Sequence, residues 1–203
     1  MKKKITFIKL LKFFAGLAII QLAVSLFLHT NIGSDSFTVF MQGLSKVLNI
    51  SVGASNCLLT AVFLAIVFWL DRFQFGIGMV LAVVFAGPIL NGMTWIVEQI
   101  LPQNLAWWMI ALEFAAGCII VSIGFPLLKS AGLAVAPNDA LYLAIVNRTG
   151  KPYALVRVCV DAVYFVLGYF CGGVIGIGTI ICLVAVPVLM QFVMKHIIKQ
   201  PEE

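Results

Sequence analysis

The 203 residues are 63% hydrophobic and 10% charged, against about 45–50% apolar and about 25% charged in a soluble domain. The chain is therefore read as a single integral membrane domain over 1–203, with room for about six spans of ~20 residues and none for a soluble domain. Its formal charge of +5 does not point to a nucleic-acid partner, because the basic residues sit mainly at span ends rather than in one stripe.

Spans are expected at roughly 8–29, 54–70, 76–97, 106–128, 153–171 and 176–194. The first follows Lys2, Lys3 and Lys4 and resembles a signal peptide. However, the run from His29 to Ser34 lacks a small-x-small site, and the segment recurs as span four, so it is assigned to the fold. Segment 33–49 comes next and is neither a span nor a simple loop. Phe37, Phe40, Met41, Leu44, Val47 and Leu48 recur at helical spacing, behind a start at Ser34-Asp35-Ser36 that can cap a helix.

In the second half, Pro137-Asn138-Asp139 opens a matching short segment through Asn147, and an offset of 101 places Thr38 on Asp139. Two readings of these segments compete. One is a helix lying flat at the membrane interface, its apolar face in lipid. The other is a half-helix dipping into the bundle, its N-terminal N–H groups turned to a substrate.

The halves repeat each other. An offset of 101 carries Phe13, Ala15, Gly16, Ile19 and Leu26 onto Phe114, Ala116, Gly117, Ile120 and Leu127. An offset of 100 carries Gly76-Ile77-Gly78 onto Gly176-Ile177-Gly178. With three spans in each repeat, about 8–100 and 106–200, the second copy is expected upside down. Inverted repeats of this kind are common in secondary transporters, whose sites lie where the copies meet. Pro102 marks the junction.

Basic residues set the expected orientation. With the N-terminus inside, Lys2, Lys3, Lys4, Lys9, Lys12, Arg72, Lys129, Arg148, Lys151, Arg157, Lys195 and Lys199 fall on the cytoplasmic side and Lys46 outside, twelve against one. Both termini are then cytoplasmic. Trp95, Trp107 and Trp108 flank an external 98–105 loop, as interfacial aromatics do.

Charged groups within spans are costly in lipid and are the first functional candidates. Glu113 lies in span four without a partner in its own span. Arg157 and Asp161 stand at i and i+4 on span five and can pair. Asn56 and Thr60 of span two map onto Arg157 and Asp161 at offset 101. Asn91 lies in span three, and Asp35 and Asp139 stand at the starts of the short helices. A polar site is expected between spans two, four and five, where an acidic group near midplane can carry a proton with substrate. Gln21, Thr94, Thr179 and Gln191 are further polar span residues, with interhelical hydrogen bonding as the plainer reading. Pro88 and Pro187 can break or kink spans three and six.

Other chemistries lack their residues. Cys57, Cys118, Cys159, Cys171 and Cys182 have no Cys-x-x-Cys spacing and read as free, small hydrophobes. His29 and His196 stand alone, without metal-ligand spacing. The stretch from Cys171 to Gly178 is no dinucleotide fingerprint, because no acidic residue follows at the required distance. No catalytic set, cofactor motif or Walker sequence is present, so the chain is not read as an enzyme and is expected to need no cofactor.

Gly76-Ile77-Gly78, Val52-Gly53, Pro137-Asn138-Asp139, Arg157-x-x-x-Asp161 and the run Gly173 to Thr179 together resemble the YitT/YczE-like integral membrane proteins, closer to the YczE branch. The resemblance covers nearly the whole chain. The family pattern has a Pro where this chain has Ser36, and tends to Glu where it has Asp161. The resemblance implies a bacterial cytoplasmic-membrane location and names no substrate.

The expectation is an all-α bundle of six transmembrane helices in two inverted three-helix repeats, each with a short amphipathic or re-entrant helix. The leading function is a small-molecule transporter that does not hydrolyse ATP. The alternative is a non-transporting accessory protein that binds a membrane partner or a second copy of itself. Transport predicts a polar cavity near midplane. The accessory role predicts a fully packed core and an exposed small-residue stripe such as Gly168 to Gly172.

Overall fold

The computed structural model describes residues 7–71, 76–133 and 136–195. Lys2, Lys3, Lys4, Arg72, His196 and Lys199, which entered the reading above, lie outside the described residues. Among those described there are eight helices and no strand: α1 Phe7–Thr30, α2 Ser36–Leu48, α3 Val52–Leu70, α4 Ile77–Ile100, α5 Trp107–Ser130, α6 Pro137–Thr149, α7 Tyr153–Phe170 and α8 Ile177–Val193. Five of them, α1, α3, α4, α5 and α7, are long and apolar enough to cross a membrane, and α8 is an apolar helix of 17 residues. All six fall where the apolar runs put them. Pro88 and Pro187 do not break their helices; α4 and α8 run on past them.

Local chemistry starts and stops these elements. Ser51 caps α3, its hydroxyl accepting from the Ala54 N–H at 3.1 Å. Gly76 and Gly176 are the N-caps of α4 and α8, so the repeated Gly-Ile-Gly is a helix-entry signal. Gly178 also lets the chain come close: its N–H donates to the Ile32 carbonyl at 3.0 Å, and a Cβ there would lie 2.7 Å from the Phe114 ring. Small residues at such approaches are how membrane helices pack without a hydrophobic driving force.

The core sits around α1, which packs on α4 and α5. α1 and α5 run antiparallel. At one end a Cβ on Gly16 would lie 2.7 Å from the Leu128 backbone; at the other, a Cβ on Gly117 would lie 2.7 Å from the Phe27 ring. α3 packs on α4 through Gly53 and Gly87, where a Cβ on either would run into the other's carbonyl oxygen. α8 packs on α5, and α7 packs on α2 and α6. Of the Gly168 to Gly172 stripe, Gly168 is buried, and a Cβ there would lie 2.8 Å from the Phe40 N of α2, while Tyr169, Phe170 and Gly172 are exposed.

The two short helices do not lie along the outside of the bundle. In both, the first turn is buried or half-buried and the last turn is exposed. α2 runs parallel to α7. Ser36 meets Asp161, the ninth of 18 residues in α7, and Lys46 Nζ donates to the Gly172 carbonyl at 2.7 Å, just past the end of α7. α2 therefore begins beside the middle of α7 and leaves with its end. α6 packs on α3 and ends beside it, where Asn147 Nδ2 donates to Asp71 Oδ2 at 2.7 Å.

Candidate functional site

The turn between α1 and α2 aims α2 inward. Asn31 at φ 52 and Gly33 at φ 106 reverse the chain after Thr30. Gly33 is required twice over, since its φ favours glycine and a Cβ would lie 2.8 Å from the Gly176 N. The reversal delivers Asp35 as the N-cap of α2. Its Oδ1 accepts from the Thr38 N–H at 3.1 Å and its Oδ2 from the Thr38 hydroxyl at 2.7 Å. The start of α6 is built differently. Pro137 at its first position needs no N–H partner, and Ala136 at the N-cap supplies no side-chain acceptor. Asp139 stands in the first turn of α6.

A cavity of about 80 Å³ lies where these two starts meet. Asp35, Phe37, Thr38 and Met41 of the first segment line it, as do Ala136, Pro137 and Asn138 of the second. α1 adds Gln21, and α3 adds Asn56 and Thr60. The rest of the wall is mostly apolar, from α1, α4 and α5. Thr60 donates its hydroxyl proton to the Asn56 carbonyl at 2.6 Å. Gln21 Oε1 and Ser34 Oγ are buried and have no hydrogen-bond partner among the described residues.

Beside the cavity, Asp161 joins three helices. Its Oδ1 accepts from the Ser36 hydroxyl of α2 at 2.7 Å and from the Tyr142 hydroxyl of α6 at 2.8 Å. Arg157 Nε lies 3.7 Å from Asp161 Oδ2, as the i, i+4 spacing predicts, with the arginine side chain 45% exposed and the carboxylate 18%. The guanidinium sits over the Tyr142 ring, 5.9 Å from its centroid. Tyr164 stacks on Phe40 and Phe63 at 5.9 and 5.5 Å and closes the aromatic side of this cluster.

Two expectations change. Glu113 does not join Asp161. It pairs across helices with His29 of α1, Nδ1 to Oε1 at 2.9 Å, both side chains 7% exposed. His29 is therefore not alone, and Glu113 is absent from the cavity wall. The cavity is also not walled by span five: its lining comes from α1 to α6, and Arg157 and Asp161 stand outside it. Asn91 is away from it too, accepting from the Gly53 N–H and donating to Ser51 Oγ, both at 3.0 Å, which ties α4 to the start of α3. Of the remaining candidates, Asp35, Asn56 and Thr60 line the cavity, while Asp139 is half-buried in the first turn of α6. Sequence reading missed Ser36, Tyr142 and His29 as partners and treated Gln21 as one polar span residue among several.

All five cysteines are free. Among the described residues no group of three or more His, Cys, Asp or Glu is arranged to hold a metal.

Comparison with known proteins agrees with the membrane reading. The model of a family of unknown function, DUF6198, matches residues 7–195. A Haemophilus influenzae protein, described as uncharacterized, is 25% identical over 92% of this chain and 83% of its own length. The uncharacterized membrane protein YczE of Bacillus subtilis is 25% identical over 89% of this chain and 82% of its own. The uncharacterized protein YyaS of the same organism is 26% identical over 91% and 94%. No solved structure matches the chain.

Proposed function

We propose that this chain, which belongs to the family of unknown function DUF6198, is a six-span membrane transporter of a small solute, built as two inverted repeats, with its substrate site in the cavity between the starts of α2 and α6. It sits in the bacterial cytoplasmic membrane with both termini inside. It uses no ATP of its own, and it performs no catalytic step.

The observation that carries the reading is the cavity itself, roofed by the starts of two short helices that begin beside the middle of spanning helices. Irregular backbone at membrane depth is tolerated where it lines a cavity or is buried in protein, and broken or half-helices are how many transporters build their sites. The accessory alternative called for a fully packed core and an open glycine stripe. The cavity counts against the first, and α2 covers the Gly168 end of the second.

The repeat is supported by how contacts exchange. Offset 101 carries Gly16 to Gly117 and Phe27 to Leu128, and these residues form the two ends of the α1–α5 contact. It carries Ser36 to Pro137 and Thr60 to Asp161; Ser36 bonds Asp161, and Thr60 and Pro137 line one cavity. It carries Asn49 to Gly150, the left-handed C-caps of α2 and α6. Such an exchange is what a twofold axis between inverted copies produces.

Thiol access tests the reading. In a cysteine-free background reconstituted in liposomes, Thr60→Cys should react with a small membrane-impermeant thiol reagent added from either side, and flux of a transported solute should stop. A protein in which that position reacts from neither side has no alternating access to the cavity, and the transport reading fails.

A further inference from the structure

The two repeats are not in the same arrangement. In the first, α3 is fixed to α4: Gly53 and Gly87 bring the two backbones together, and Asn91 of α4 accepts from the Gly53 N–H at 3.0 Å. Small residues at a helix contact, with an amide bonded across it, are a common way of joining membrane helices. In the second, α7 packs on the short helices α2 and α6 and makes no comparable contact with α8 among the described residues. Offset 101 puts Ala154 where α3 has Gly53, and offset 100 puts Pro187 and Gln191 where α4 has Gly87 and Asn91. Gly53 and Gly87 are buried, whereas Ala154, Pro187 and Gln191 are exposed.

The parts of the same joint are nonetheless present. α7 starts after Pro152 with no side-chain cap, so the N–H groups of its first turn, that of Ala154 among them, have no acceptor within the helix. Gln191 stands near the end of α8, and no hydrogen bond joins its amide to another helix among the described residues. A donor at the start of α7 and an acceptor on α8 thus match the Gly53–Asn91 bond of the first repeat, and both are unused.

The other contacts of α7 let it swing. Its Phe170 end is joined to α2, where a Cβ on Gly43 would lie 2.7 Å from both Cys171 Cβ and the Gly168 carbonyl oxygen, so the two helices move together. Gly172, at φ 84, begins the link to α8, and an added Cβ there would meet nothing closer than Lys46 Cδ at 3.8 Å. Residues at element ends are where hinge motions are absorbed. A tilt of about 10° at that link moves the Tyr153 end of this 18-residue helix, about 27 Å away, by about 5 Å.

We propose that α7 is the moving span: its Tyr153 end swings onto α8, and Gln191 then accepts from the Ala154 N–H as Asn91 does from Gly53. Inverted copies that move against each other expose a site between them to each side in turn. In the proposed orientation the parted end of α7 and α8 is cytoplasmic, and the swing shuts that side. The assignment deepens the transport reading and rests on it for what the motion accomplishes.

Disulfide trapping in a cysteine-free full chain in proteoliposomes tests the swing. Cys57 and Gly87 touch across α3 and α4, and the two offsets carry them to Val158 and Pro187, both exposed. With copper phenanthroline as oxidant, Val158→Cys/Pro187→Cys should form an intramolecular disulfide, read as loss of thiol labelling in the monomer. Val158→Cys/Ile180→Cys, with its second cysteine at the other end of α8, should not. Gln191→Leu should slow trapping of the first pair several-fold, and Gln191→Asn should slow it less. Absence of a disulfide in the first pair overturns the proposal. So does equal trapping of both pairs, which would mark unspecific collision, and so does an unchanged rate in Gln191→Leu. Trapping in a protein whose Thr60→Cys reacts from neither side sinks the transport reading and leaves the swing standing. Reaction of Thr60→Cys from both sides, without trapping, does the reverse.

Discussion

Ser36 and Asp161 lie 125 positions apart, and the serine hydroxyl donates to the aspartate Oδ1 at 2.7 Å. Tyr142 donates to the same oxygen at 2.8 Å. One carboxylate on α7 thus ties the start of α2 to the second turn of α6. Arg157 is secondary: its Nε stands at 3.7 Å on a half-exposed side chain, and exposed i, i+4 pairs are worth about 0.3–0.5 kcal/mol.

The first prediction follows from that ranking. Hydrogen bonds to a charged group contribute about 1.5–3 kcal/mol each. Asp161→Ala should therefore lower unfolding stability in detergent by several-fold more than Arg157→Ala. The cycle of Ser36→Ala with Asp161→Ala should be non-additive, with coupling of about 0.5–3 kcal/mol. Additive losses would mean that Asp161 does not hold α2.

The second prediction concerns His29 and Glu113. Both side chains are 7% exposed and 2.9 Å apart, and removing one member of a buried pair typically costs about 3–5 kcal/mol. Glu113→Leu should destabilise the protein strongly, and His29→Leu/Glu113→Leu should recover much of the loss. Because Glu113 is absent from the cavity wall, the double variant should transport with unchanged selectivity. A change of selectivity in flux assays would place Glu113 back in the site.

The spans and the short helices were legible in the sequence because length, apolar runs and caps are local signals. The run Ser34-Asp35-Ser36 announces a helix start, and α2 begins there with Asp35 as its N-cap. The Arg157–Asp161 pair was legible for the same reason, since i, i+4 neighbours share a helix face. His29 and Glu113 are 84 positions apart, and no spacing rule joins them, so His29 read as standing alone and Glu113 as lacking a partner in its own span. Gln21 had the same difficulty. Whether an amide in a span has a partner depends on what five other segments bring around it. Asn91 illustrates the same limit, because a polar residue in a span signals a partner without naming it, and here that partner is the start of α3.

A third prediction separates glycines that pack from one that does not. A Cβ on Gly168 would lie 2.8 Å from the Phe40 N and 2.9 Å from its Cα, both backbone atoms that cannot step aside alone. Gly168→Ala should push α2 off α7 and lower stability by about 1–3 kcal/mol, the range for overpacking. Gly92, inside α4, has nothing within 4 Å of such a Cβ. Gly92→Ala should be neutral or stabilising by about 0.5–1 kcal/mol, from the lower entropy cost of alanine in a helix. Thermal unfolding of the two variants side by side checks the contrast. Equal effects would mean that α2 does not depend on the Gly168 contact.

The last prediction tests the inversion. Ile50 follows the left-handed cap Asn49 at the end of α2, and Lys151 follows the left-handed cap Gly150 at the end of α6. Offset 101 carries one position onto the other, and both are exposed. α2 climbs beside α7 and α6 ends beside α3. In a six-span protein α3 and α7 cross in opposite directions, so the two caps must emerge on opposite faces. The basic-residue bias predicts which: Lys46 outside, and Arg148 and Lys151 in the cytoplasm. In a cysteine-free background, Ile50→Cys should label with an impermeant maleimide on intact cells, and Lys151→Cys only after the membrane is opened. The opposite assignment would keep the inverted repeat and reverse the orientation. Labelling of both from the same side would remove the repeat, and with it the argument that two mirrored half-helices build the site.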